Sequence, residues 1–462
     1  MPDSSLSTAD IRRRLSVPIA EEAPGPGGWT RRSFLQAVGL GAGAAAAGGL
    51  LHELAFGADT RTAFAGQPLG THEGVLVLLT HYGGNDGLNM VVPYTNNDYY
   101  GMRGGLAIPA NQVLPLDGVH ALHPALSTLK SMWDAHHVAI VHGSGYPNPD
   151  LSHFSSMATW MHGSLAGGAI TSGWVGRWLD GLAPDLAEMA AASIDSAVPL
   201  SLQGRTRGGL GVSPWGNLFG ADSGDENQRM YNALSAMNTP AGRGPWHDMF
   251  SSALATQLRV ASELAPSLDP EPQGSDLVRR MTIAARIINA NVGLRVIDVP
   301  HGGYDTHEGQ PGRHEELLGD FDTALATFYA TLSPAYHRRV LIVTLSEFGR
   351  TPYANQSLGT DHGTANVQMV IGHQVRGGHY GTPPSLNVAD QWDRLVSTLD
   401  FRSVLGTLVE GWMGADAGEV MEGNSFERLN FLAAAPGVVE LTKTIDDGAD
   451  QSGLMPAVRV RG

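Results

Sequence analysis

The sequence predicts an α/β protein, with a largely parallel central sheet covered by helices on both faces. Three observations carry that prediction. Short, unbroken apolar runs recur along the chain, as strands buried on both faces require. Longer stretches with apolar residues at helical spacing stand between them. The two kinds alternate, which is how parallel strands are joined through crossover helices.

Residues 75–80 (Val-Leu-Val-Leu-Leu-Thr) form the first run and residues 138–142 (Val-Ala-Ile-Val-His) the second, with a helix expected over 124–135 between them. Three more runs, 294–299, 340–345 and 367–371, each end near Gly, Pro or polar residues. Between the first two of these a helix is expected over 313–332, where Leu317, Leu318, Phe321, Leu325, Phe328 and Leu332 recur at its spacing. Residues 180–275 read differently. They mix stretches rich in Gly, Ser, Pro and Asn (204–220 and 239–244) with short amphipathic helices, and show no clear strand alternation. They are expected to form an insertion or cap on the core and not an independent domain. The core domain is then expected over residues 66–435, with a loosely attached tail at 436–462.

The first 65 residues carry a different signal. Thr30-Arg31-Arg32-Ser33-Phe34-Leu35 sets paired arginines just ahead of an uncharged, Ala- and Gly-rich run from Ser33 to Leu51. Ala63-Phe64-Ala65 then supplies the small-x-small pattern of a signal-peptidase site. The order predicts a twin-arginine signal peptide over residues 1–65, with the twin-arginine translocase as a partner. The protein is therefore expected to work in the periplasm, at the cell surface or outside the cell. So weakly apolar a core makes a poor anchor, and no later stretch approaches the roughly 20 apolar residues of a spanning helix. No stable membrane anchor is expected.

The expected signal holds six acids and six arginines, so the remaining chain keeps the full formal charge of −16. That balance argues against nucleic acid or an anionic lipid surface as the main partner. Cysteine is absent, which excludes disulfides and thiolate metal sites, while 18 histidines leave oxygen and imidazole ligands available.

Chemistry in open parallel sheets gathers where the strands end. After the first run comes His81-Tyr82-Gly83-Gly84-Asn85-Asp86-Gly87, a Gly-rich turn presenting Asp86. After the second comes Asp150-Leu151-Ser152-His153-Phe154-Ser155, with Ser152 placed to start and cap a helix. His301-Gly302-Gly303-Tyr304-Asp305-Thr306-His307 follows the third, and Ser346-Glu347-Phe348-Gly349-Arg350-Thr351 the fourth. Gly359-Thr360-Asp361-His362-Gly363 precedes the fifth. Taken singly, an Asp beside Gly serves a turn and a strand-end Arg a salt bridge. Together, carboxylates, histidines and a hydroxyl at one sheet edge suit a divalent metal: zinc or manganese first, then magnesium. Arg350 has the forked donors to clamp an anion beside it.

These motifs, with the twin-arginine pattern, resemble the bacterial family known as domain of unknown function 1501, over roughly residues 73–415. That family is grouped with the alkaline phosphatase-like superfamily of phosphatases, sulfatases and phosphomutases. The resemblance implies an alkaline phosphatase-like core with two metal positions around a hydroxyl nucleophile. It implies Ser152 as that nucleophile, with His153 and Ser155 as rivals. It implies Asp305, His307 and the late histidine His362 at one metal, and Asp86 with Glu347 at the other. Phe348 stands where the superfamily has a histidine, so the second position is expected to lack an imidazole, with Asp361 to compensate. No Ser-x-Pro-x-Arg motif is present and there is no cysteine, so the formylglycine nucleophile of sulfatases is not expected.

Two functions remain open on this reading. One is a metal-dependent hydrolase or transferase for an anionic ester, phosphate before sulfate. The other is a metal-binding or structural protein that keeps the fold without the chemistry. The turn at Gly83–Gly87 lacks the spacing of a dinucleotide loop, which argues against an oxidoreductase.

Overall fold

In a computed structural model of the protein, residues 68–214 and 264–436 are described, apart from residues 71, 166–168, 188, 196, 265, 389–392 and 424–425. The expected signal peptide, residues 215–263 of the expected insertion, and residues 437–462 of the expected tail lie outside them.

Strand β1 (Val75–Tyr82) shows why its sequence reads as one apolar run. Val75, Val77 and Leu79 pack into one core cluster, and Leu76 and Leu78 into another on the opposite face. The chain continues through helix α1 (Asn97–Arg103), α2 (Ser127–Asp134), strand β2 (Val138–Gly145), α3 (His153–His162) and α4 (Trp174–Gly181). Short strands β3 (Ala191–Ser193) and β4 (Leu210–Gly211) follow, then α5 (Asp276–Ala290), β5 (Val296–Gly302) and α6 (Gln310–Thr331). The last described elements of the core are β6 (Val340–Leu345), β7 (Asn366–Ile371), β8 (Gly378–Tyr380), β9 (Leu399–Asp400) and α7 (Phe401–Gly411).

Among the described residues the strands make a nine-stranded sheet, β8-β2-β7-β6-β1-β5-β3-β4, with β9 also paired to β2. Every pairing is parallel except those of β7, which runs antiparallel to both β2 and β6. Helices α2, α5 and α6 cover one face through Leu129, Met281, Ile288, Phe321, Leu325 and Phe328. On the other face α3, α4 and α7 contribute Trp160, Trp174, Trp178, Phe401 and Leu405. This is the mixed α/β, mostly parallel architecture expected from the alternating pattern. A separate three-stranded sheet, Val91–Val92, Leu114–Pro115 and Ala121–Leu122, packs through a third cluster around Val92, Tyr99 and Ala121.

Among the differences from expectation, two concern whole segments of the fold. Strands β3 and β4 lie inside the segment read as free of strands, and they extend the sheet beyond β5. Three and two residues are too few to show an alternation. Helix α6 starts at Gln310, three residues before the expected start, and takes in Pro311 and Gly312. Proline fits there because first-turn amides have no carbonyl to bond within the helix. No helix among the described residues is long and apolar enough to cross a membrane.

Candidate metal centre at the sheet edge

The reversal of β7 shapes the site. Because β7 enters the sheet where its neighbours leave it, the loop before β7 meets the loops after β1, β5 and β6. The segment after β6 and the one before β7 pair with each other: Gly363 N donates to Gly349 O (2.8 Å), Gly349 N to Thr364 O (3.0 Å) and Thr351 N to Asp361 O (2.9 Å). The loops after β1 and β5 approach so closely at Gly83 that a Cβ there would collide with the backbone of Asp305. Its φ of 114° is a second reason for glycine.

Asp305 stands at the centre. Its Oδ1 lies 2.7 Å from Arg350 Nη2, 3.0 Å from His307 Nε2, 3.3 Å from His153 Nε2 and 3.4 Å from His362 Nε2. Burial alone would raise its pKa, but the hydrogen bond and charge of Arg350, with His153 and His307, pull it down to about 2. One ligand atom each from His153, Asp305 and His362 falls within 4.8 Å of the others. His362 Nδ1 donates to the carbonyl of Leu151 (2.8 Å), so its Nε2 carries the lone pair towards the cluster. Leu151 has a φ of 61°, a conformation costly for a branched side chain and one that persists at functional turns.

His153 is the first residue of α3, and its Nδ1 lies 2.8 Å from Glu347 Oε1. The hydrogen bond to Glu347 raises the His153 pKa. Glu347 is buried and also accepts from Gly83 N (2.8 Å) and Ser346 Oγ (3.2 Å). The Phe348 ring lies 4.9 Å from the His153 ring and 4.9 Å from the His362 ring, an apolar floor beneath both. The missing imidazole beside Glu347 is thus supplied from α3, where His153 had been considered only as a rival nucleophile. Its position just after β2 was the available signal.

Other expected residues are placed differently. Asp86 is not brought into the cluster. Both its oxygens are taken by the buried guanidinium of Arg103, at 2.6 and 2.8 Å, and Gln310 Nε2 also donates to it. The structure thus shows Asp86 in a buried bidentate pair, away from the converging histidines. Arg350 does not face an anion site. Its Nε donates to Gly84 O (2.7 Å), Nη1 to Thr360 O (2.9 Å), and Nη2 to Tyr304 O (3.0 Å), Gly83 O and Asp305. It ties the converging loops together, fully buried. Asp361 stands behind His307, its Oδ1 3.1 Å from His307 Nδ1, as an outer partner and not beside the converging nitrogens. Ser152 occupies the N-cap position of α3, but its side chain makes no capping bond; its amide donates to Asp150 Oδ1 (2.9 Å). Ser155 is tied through its hydroxyl to the same carboxylate.

Solved structures similar to the chain include a protein of the alkaline phosphatase superfamily from Vibrio parahaemolyticus, at 10% identity, 83% of this chain, 75% of that one and TM-score 0.34. The PsFucS1 sulfatase from Pseudoalteromonas sp. matches at 13% identity, 86% of this chain, 76% of that one and TM-score 0.35. Ps i-CgsB matches at 10% identity, 76% of this chain, 73% of that one and TM-score 0.35. No curated protein matches the chain in sequence. The family described as "Protein of unknown function (DUF1501)" matches residues 138–405, more than half of the chain, and the protein belongs to that family.

Proposed function

We propose that the protein is an exported, metal-dependent hydrolase or transferase acting on a phosphate ester in preference to a sulfate ester. The observation that carries this reading is the convergence of His153, His307 and His362 on one oxygen of Asp305, at 3.0–3.4 Å. His153, Asp305 and His362 would hold the ion, with His307 beside them. The fit is supported by His153 Nε2, which is buried and has no hydrogen-bond partner. Two or three imidazoles with a carboxylate suit zinc, and manganese next. A bound divalent cation would supply Lewis acidity, neutralising charge on a phosphoryl oxygen.

The chain's own groups perform the remaining work. Glu347 holds the proton of His153 at Nδ1 and so aims the Nε2 lone pair inwards. Asp361 orients His307 in the same way. The Ser152 hydroxyl, released from capping its helix, is the candidate nucleophile: its oxygen would bond to phosphorus as the ester oxygen leaves, and its proton would pass to a neighbouring base. The expected export signal places this chemistry outside the cytoplasm. One observation favours the alternative of a non-catalytic metal-binding protein: Arg350 is wholly engaged within the chain and offers nothing to a substrate anion.

The test is a panel of phosphate and sulfate mono- and diesters assayed with zinc, manganese and magnesium, comparing the natural protein with Ser152→Ala. A metal-dependent activity lost in the variant, with the fold intact, supports the mechanism. Activity that survives moves the attack to another group. A correctly folded, metal-loaded protein inert throughout the panel favours the non-catalytic reading.

A further inference from the structure

We propose a second metal site, in which His120, His142 and His379, flanked by Asp117, bind a zinc ion at the edge of the central sheet. It shares no residue with the Asp305 cluster and does not depend on the function proposed for it.

The site follows from the strand register. His379 of β8 is the parallel partner of Ile140 on β2. His142 lies two residues beyond Ile140 and so on the same face of the strand. The two rings therefore meet, with His142 Nε2 2.8 Å from His379 Nδ1. His120 comes from the turn between Leu114–Pro115 and Ala121–Leu122 of the small sheet, and its ring centroid lies 4.9 Å from that of His142 and 5.0 Å from that of His379. One nitrogen from each ring falls within 4.8 Å of the others.

Asp117 completes the set. Its Oδ1 accepts from the amides of Val119 (2.7 Å) and His120 (2.6 Å), which turns Oδ2 to the rings. Oδ2 lies 3.1 Å from His379 Nε2 and 3.6 Å from His120 Nδ1. Neither nitrogen is in hydrogen-bond geometry, and both are buried without a hydrogen-bond partner. Buried nitrogens that meet a carboxylate without a well-formed hydrogen bond are poorly satisfied, and a cation among them removes the cost. The chemistry is that of a zinc ligand set: three neutral imidazoles, an adjacent carboxylate, no thiolate. Trp133, with its ring 4.8 Å from that of His379, walls one side.

Three segments remote in sequence would be joined by the ion, so binding would pin the small sheet to the edge strand β8 and add to stability.

The full chain, stripped with a chelator and dialysed against micromolar zinc, is measured for zinc per chain. With the Asp305 cluster disabled by His153→Ala and His362→Ala, one zinc per chain should remain, and His379→Ala in that background should remove it. Less than about a tenth of an ion per chain in the double variant overturns the proposal. Should the double variant fail to fold, His379→Ala in the otherwise natural chain decides, because that ring is part-exposed on an edge strand. Its zinc content should fall by one ion, and an unchanged content overturns the proposal. Asp117→Asn should weaken zinc binding roughly ten- to a hundred-fold while leaving the count at saturation unchanged. Loss of zinc only on changing His153 or His362 would leave the Asp305 site standing and this one refuted.

Discussion

The imidazole of His153 and the carboxylate of Glu347 are joined at 2.8 Å, which links the first turn of α3 to the end of β6. This pairing fixes which nitrogen of His153 faces Asp305, so under the proposed function the two residues would act on a bound ion as a unit. Replacing His153 with Ala should remove a direct ligand and abolish stoichiometric binding at the Asp305 cluster. Glu347→Gln keeps the shape and loses the charge, and should weaken binding there roughly ten- to a hundred-fold. Isothermal titration with zinc, in a His379→Ala background, measures both. Equal, undiminished affinity in the two variants would place the ion elsewhere.

The Asp86–Arg103 pair should matter for stability and not for metal. Arg103→Met would leave a buried carboxylate without its guanidinium, and should cost about 3–5 kcal/mol in chemical denaturation. Metal content, measured where the variant is still folded, should match that of the natural protein. A drop in metal with little change in stability would return Asp86 to the ligand set.

Asp298 gives a pH signature away from either cluster. It sits on β5 beside Ser193, whose hydroxyl donates to it at 2.9 Å, and burial raises its pKa to about 7. The unfolded chain gives up this proton near the ordinary carboxyl value, whereas the folded protein keeps it until near neutrality. Between those two values the folded state binds more protons, so this group's contribution to stability is full at low pH and declines as pH rises from about 4 to about 7. Asp298→Asn should remove that decline and raise stability at pH 8 by an amount on the order of 4 kcal/mol. An unchanged pH profile of the denaturation midpoint would refute the assignment.

Export is tested without reference to the fold. Changing Arg31 and Arg32 together to Lys should leave an uncleaved precursor in the cytoplasm, seen by fractionation and immunoblotting. Normal secretion and processing of that variant would exclude the twin-arginine route.

How much was legible in the sequence depended on whether a residue's partners were local. Strands β1 and β6 were readable because both faces are buried, so residues 75–79 and 340–343 are unbroken apolar runs. Strands β3 and β4 were not, since so short a strand has no pattern to detect. In the site, Asp305, His307 and His362 stood out as polar clusters at strand ends, and the structure brings them together. What engages Asp86 and Arg350 was not legible, because the groups that claim them come from elsewhere. The guanidinium of Arg103 arrives on α1, and the carbonyls of Gly83, Gly84, Tyr304 and Thr360 come from three other loops. No spacing rule reports such engagement. His153 was hidden for the converse reason: its partner Glu347 lies 194 residues away.

The place of β7 has a consequence for how the chain can be shortened or assembled. It fills the gap between β2 and β6, and the loop leading into it brings His362. A fragment ending before residue 366 would therefore present two open strand edges in the middle of the sheet, the kind of surface that recruits other chains. A fragment ending before residue 362 would also lack His362 of the Asp305 cluster. During synthesis, completion of that cluster and closure of those edges fall in the same late stretch of chain.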